Sequence, residues 1–166
     1  MVEPIQNIIN ELILTVAGLY HRLILLVGES GSGKTSALHG VAKQHDAEIF
    51  NLNLNLSYLL LELTMKQRVL QLSTLLEDIL KESQGIIFLD NIEILFDKDL
   101  KQDPLRLLQN LSRNRLIIAS WNGRYQGKKL IYAEPDHPEY RLYDSIETVI
   151  VCMNGTTTID IDKSLN

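Results

Sequence analysis

Gly28-Glu29-Ser30-Gly31-Ser32-Gly33-Lys34-Thr35 fits the spacing Gly-x-x-x-x-Gly-Lys-[Ser/Thr] without an exception. This is the phosphate-binding P-loop, and its residue types have physical reasons. Gly31 and Gly33 carry no Cβ, so the backbone can curl and aim successive N–H groups at phosphate oxygens. A helix expected from about Gly33 adds its positive dipole end to the same anion. Lys34 is placed to reach the β- and γ-phosphates, and the Thr35 hydroxyl to hold Mg²⁺. Gly28, Glu29, Ser30, Ser32 and Ser36 complete the stretch expected to line a nucleotide. Chance produces such a match in roughly one chain of this length in two hundred, and the flanking sequence lowers that further. Leu23-Ile24-Leu25-Leu26-Val27 is a continuous apolar run, as a strand buried on both faces requires. Ser36-Ala37-Leu38-His39-Gly40-Val41-Ala42-Lys43 has helical patterning. Strand, loop and helix stand in the order that nucleotide binding needs.

The remaining chain is organised around this unit. At 166 residues, 45% apolar and 22% charged, it has the length and composition of one globular domain. A helix over 1–20, a nucleotide-binding core over 21–153 and a tail or short strand over 154–166 are expected. No apolar run approaches a membrane span, and Met1-Val2-Glu3-Pro4 does not begin like a signal peptide, so a cytoplasmic location is expected. Cys152 is the only cysteine, which excludes an internal disulfide and a thiolate zinc cluster. The net charge of −5 opposes general nucleic-acid binding. Yet residues 91–133 hold eight Lys or Arg against four Asp or Glu, while the rest holds eight against seventeen. Such asymmetry suits either a nucleic acid or acidic subunit, or simply a solvated surface.

Periodicity predicts a helix over 4–19, a second strand over 48–54, and a leucine-rich helical stretch over 57–81, whole or broken in two. A buried strand over 86–90 follows. Asp103-Pro104 caps a helix through about Asn110. Further strands are expected over 115–122, 129–133, 147–153 and 156–162. Strands alternating with helices imply a mainly parallel sheet covered on both faces.

Asp90 ends an apolar strand, where a carboxylate reaches the ligand crevice of an open α/β sheet. There it can hold the Mg²⁺ that Thr35 also contacts; the alternative is a cap on the Asn91-Ile92-Glu93 turn. Asn91 follows it, and an amide can hold a water molecule but cannot accept its proton. Glu93 either swings in from the turn to position that water or is an exposed helix-start residue. Asn122 ends the 115–122 strand, where it either touches the γ-phosphate or starts a turn with Gly123; Ser120 is a weaker substitute. Arg113, Arg115 and Arg124 are candidates to stabilise transition-state charge from a neighbouring subunit, Arg113 foremost, and Arg68 and Arg141 are weaker ones.

Together, residues 28–35, 86–90 and 117–122 resemble the AAA+ and wider RecA-like ATPase core. The resemblance implies a three-layer α/β P-loop NTPase, bound ATP and Mg²⁺, and a sensor role for Asn122. It departs in two respects. Many strand-inserted ATPases carry a glutamate where Asn91 stands. Only thirteen residues follow Met153, so no C-terminal helical lid is expected and a neighbouring subunit would cover the nucleotide. Asn51-Leu52-Asn53-Leu54-Asn55-Leu56-Ser57, Leu89-Asp90-Asn91-Ile92-Glu93, Trp121-Asn122-Gly123 and Tyr132-Ala133-Glu134-Pro135-Asp136-His137-Pro138-Glu139-Tyr140 are more narrowly similar to BrxF, the small P-loop family of BREX type III phage-defence systems. That resemblance implies a bacterial cytoplasmic ATPase acting with other defence proteins to recognise or modify DNA; the chain is expected to work as a homo-oligomer, with double-stranded DNA a candidate partner. The 132–140 segment is expected as an exposed hairpin or loop, either a partner surface or a structural turn. A nucleotide-dependent assembly switch with negligible turnover is the alternative function.

Overall fold

In the computed structural model, which describes residues 4–159, the apolar run before the P-loop forms β1 (Leu23–Gly28). Side chains alternate along a strand, so Leu23, Leu25 and Val27 enter one core while Ile24 and Leu26 enter another. Helices α1 (Ile5–Val16) and α2 (Lys34–Gln44) close the second core with Ile9, Val16, Leu38 and Val41. Helices α3 (Leu52–Leu60), α4 (Met65–Leu80) and α5 (Pro104–Leu111) close the first with Leu52, Leu56, Leu72, Leu76 and Leu108. The result is the expected three layers, a sheet between helices.

The other strands are β2 (Ile49–Asn51), β3 (Ile87–Asp90), β4 (Ile117–Gln126), β5 (Lys129–Tyr132), β6 (Arg141–Tyr143), β7 (Val149–Cys152) and β8 (Thr157–Ile159). They form one sheet with the path β2-β3-β4-β1-β7-β8, from which β5 and β6 branch off β4. The five strands from β2 to β7 run parallel; β8 closes one edge antiparallel. Parallel running brings the ends of β1, β3 and the parallel part of β4 to one side, with Gly28 paired to Asn122. Among the described residues, no helix is long and apolar enough to cross a membrane.

The chain differs from the sequence expectation in several places. The second strand stops at Asn51, whose side chain accepts from the Leu54 N–H at 3.1 Å and starts α3. The alternation over 51–54 had suggested a strand, but Leu52, Leu56 and Leu60 also lie four apart, and the asparagine cap favours the helix. The leucine-rich stretch takes the broken one of its two expected forms, because Thr64 and Gln67 form a reciprocal capping box that starts α4. The fourth strand runs past Asn122 to Gln126 and turns back as a hairpin, so Asn122 lies within a strand and starts no turn. Tyr132 is buried against Phe96, their rings stacked 3.5 Å apart, while 134–138 is exposed as expected. The final expected strand is seen over Thr157–Ile159, and 160–162 lies outside the described residues.

Trp121 fixes the hairpin to the body. It is fully buried, meets Phe96 edge-on at 5.2 Å, and its indole N–H donates to the Ile131 carbonyl at 3.1 Å. Gly123 lets the strands approach, since a Cβ there would collide with the Ile131 carbonyl oxygen. Trp121→Ala is expected to destabilise the fold by about 3–5 kcal/mol. Equilibrium denaturation measures this, and a loss below about 1 kcal/mol would show that the hairpin is anchored elsewhere.

Candidate functional site

The P-loop joins β1 to α2 through Gly33, whose φ of 96° is one that L side chains rarely adopt. Gly33, the N-cap of α2, makes no side-chain cap, so the amides of the first turn are open to an acceptor from outside the helix. Gly33, Lys34, Thr35 and Ser36 line a cleft of 510 Å³ together with Ser30, Gly31, Asp90, Asn91, Glu93 and Asn122. Most of the expected nucleotide-binding and catalytic residues therefore meet at one place. Gly28, Glu29 and Ser32 line a different cleft, with Gly123, Arg124 and Met153.

Lys34 lies inside the curl, 6% exposed, its Nζ donating to the carbonyls of Gly28 and Glu29 at 2.8 Å each. Burial lowers its pKa from the usual lysine value, while the carboxylates of Glu93, Asp90 and Glu29 oppose the shift. The loop is thus shaped round a positive charge at its centre. Asp90, also 6% exposed, is fixed by three donors. Its Oδ2 accepts from the Thr35 hydroxyl at 2.8 Å; its Oδ1 accepts from the Ser120 hydroxyl at 2.7 Å and the Asn91 N–H at 2.9 Å. Ser120 therefore holds the carboxylate rather than serving as a substitute for Asn122. That role was hidden in the sequence, since only the pairing of parallel strands brings residues 90 and 120 together.

Asn91 adopts left-handed geometry at φ 52°, which asparagine tolerates better than most residues. The 3₁₀ turn over Ile92–Phe96 that follows brings Glu93 back over the cleft. There the Asn122 amide donates to the Glu93 carboxylate. Neither residue is an exposed bystander.

Thr35 and Asp90 offer a hydroxyl and a carboxylate oxygen side by side, the hard donors that Mg²⁺ prefers. Among the described residues, no three His, Cys, Asp or Glu side chains form a metal cage. Asp90 and Glu93 beside one lysine would repel a bare triphosphate, and a divalent cation would offset that excess.

The candidate arginines separate by position. Arg115 pairs with Glu77 at 2.9 Å, Arg68 donates to the Leu60 and Leu63 carbonyls, and Arg141 donates to the Gln102 carbonyl. These three brace the fold. Arg113 is exposed before the start of β4, at the opposite end of the sheet from Lys34, with its guanidinium over the Tyr20 ring at 4.8 Å. Arg124 lies beside the P-loop of its own chain.

Residues 24–120 match the family described as ATPase family associated with various cellular activities (AAA). No curated protein matches the sequence. Among solved structures, PCH-2 of C. elegans is similar at 20% identity and a TM-score of 0.39, over 71% of this chain and 34% of that one. A structure titled for katanin self-assembly is similar at 19% identity and a TM-score of 0.37, over 73% of this chain and 40% of that one. The chain spans well under half the length of either.

Proposed function

Since the chain belongs to the AAA family of ATPases, we propose that it binds and hydrolyses Mg-ATP as a homo-oligomer within a bacterial anti-phage (BREX) complex acting on DNA. The contact between Thr35 and Asp90 beside the lysine-filled loop carries the ATPase reading. Loop amides and Lys34 would bind the phosphates. Thr35 and Asp90 would hold Mg²⁺, which when bound supplies neutralisation of charge on the β- and γ-phosphates. Ser120 keeps Asp90 oriented. Glu93 positions the attacking water and takes its proton, and Asn122 holds that carboxylate beside the γ-phosphate position.

The resemblance of four segments to BrxF supports the narrower assignment. Of these, 134–138 offers exposed polar and proline residues for a partner protein, and the exposed hairpin turn at Lys128 and Lys129 offers positive charge for DNA. Arg113 is suited to completing a neighbour's site because it is exposed and remote from its own Lys34.

The expected result is a specific ATPase activity that rises with protein concentration. Arg113→Ala should lower it by about 10³-fold while sparing ATP binding. An activity independent of concentration would contradict oligomeric completion of the site. Asn91 beside Asp90 favours a second reading, an assembly switch, and nucleotide-dependent oligomerisation without phosphate release would establish it.

A further inference from the structure

We infer that Arg124 binds the γ-phosphate of ATP within its own chain, an inference that rests on the ATP-binding role proposed above. Asn122 pairs with Gly28 at the end of β1. Arg124 follows two residues later on the same strand, so its side chain leaves the same face about 7 Å further along. It lines a cleft of 350 Å³ with Glu29, Ser30, Asn122 and Glu134. Ser30 and Asn122 also line the nucleotide cleft, so the two spaces adjoin at the P-loop.

Charge supplies the reason for movement. The nucleotide cleft has one lysine against Asp90 and Glu93, and a triphosphate adds further negative charge. Among the described residues, Arg124 is held by Glu134 alone, at 3.4 Å, and the two side chains are 34% and 63% exposed. An exposed ion pair of this kind contributes little. A guanidinium facing phosphate oxygens makes stronger, paired, charge-assisted bonds. ATP would therefore draw Arg124 from Glu134, and the released carboxylate would report the nucleotide state to the exposed segment 134–138. ADP, lacking the γ-phosphate, would leave the pair in place.

The test measures ATP and ADP affinities of wild type, Arg124→Ala, Arg124→Lys and Glu134→Gln by calorimetry. Arg124→Ala should weaken ATP by about tenfold to a hundredfold and leave ADP within about twofold, which also shows that the variant is folded. Arg124→Lys should recover part of the loss, and Glu134→Gln should tighten ATP but not ADP. In mixtures, Lys34→Ala chains with an intact Arg124 should not restore hydrolysis to Arg124→Ala chains. Restoration would place the arginine in a neighbour's site and overturn the inference. Equal ATP affinity in wild type and Arg124→Ala would overturn it while leaving the ATPase reading intact. Failure of wild type to bind ATP would overturn both.

Discussion

Lys34→Ala should reduce ATP affinity by at least about a hundredfold, since each hydrogen bond to a charged group contributes about 1.5–3 kcal/mol and tenfold corresponds to about 1.4 kcal/mol. The Lys34 ammonium is the positive charge at the centre of the loop, among Glu29, Asp90 and Glu93. Its removal subtracts the phosphate ligand and leaves Asp90 and Glu93 in the cleft to repel the anion. The fold should survive, because among the described residues Lys34 bonds only to loop carbonyls and the apolar cores do not include it. Calorimetric titration with Mg-ATP, alongside the denaturation midpoint, separates the two effects. Ordinary ATP affinity in the variant would sink the assignment.

Glu93→Gln should slow hydrolysis by about 10²–10⁴-fold and leave ATP binding nearly unchanged. Glutamine has the same shape, and its amide oxygen can still accept from Asn122, so the arrangement persists. What it loses is the ability to take a proton from water. Asn91 cannot substitute, since it is also an amide. Single-turnover phosphate release measures the chemical step without product release. An unchanged rate would move the role of base to another residue.

The nucleotide site was legible in the sequence where its chemistry is local. Eight consecutive residues define the loop, and Asp90 stands out as a charge at the end of an apolar strand. Glu93 could not be separated from an exposed helix start, because the left-handed turn at Asn91 that redirects it leaves no periodic signal. The contact of Ser120 with Asp90 and the placement of Arg124 beside the P-loop join residues distant in sequence, and they became visible only with the order β3-β4-β1. The three-layer architecture followed from alternating strands and helices. The boundary between β2 and α3 did not, because Asn51 suits a strand end and a helix cap equally in sequence.

The most direct test is titration of Mg-ATP into the wild-type protein, repeated with a chelator in place of Mg²⁺. The predicted result is saturable binding of one nucleotide per chain that weakens sharply without the cation, because Asp90 and Glu93 share the site with one lysine. No saturable binding, or binding indifferent to the chelator, would contradict a Mg-ATP site built on Lys34, Thr35 and Asp90.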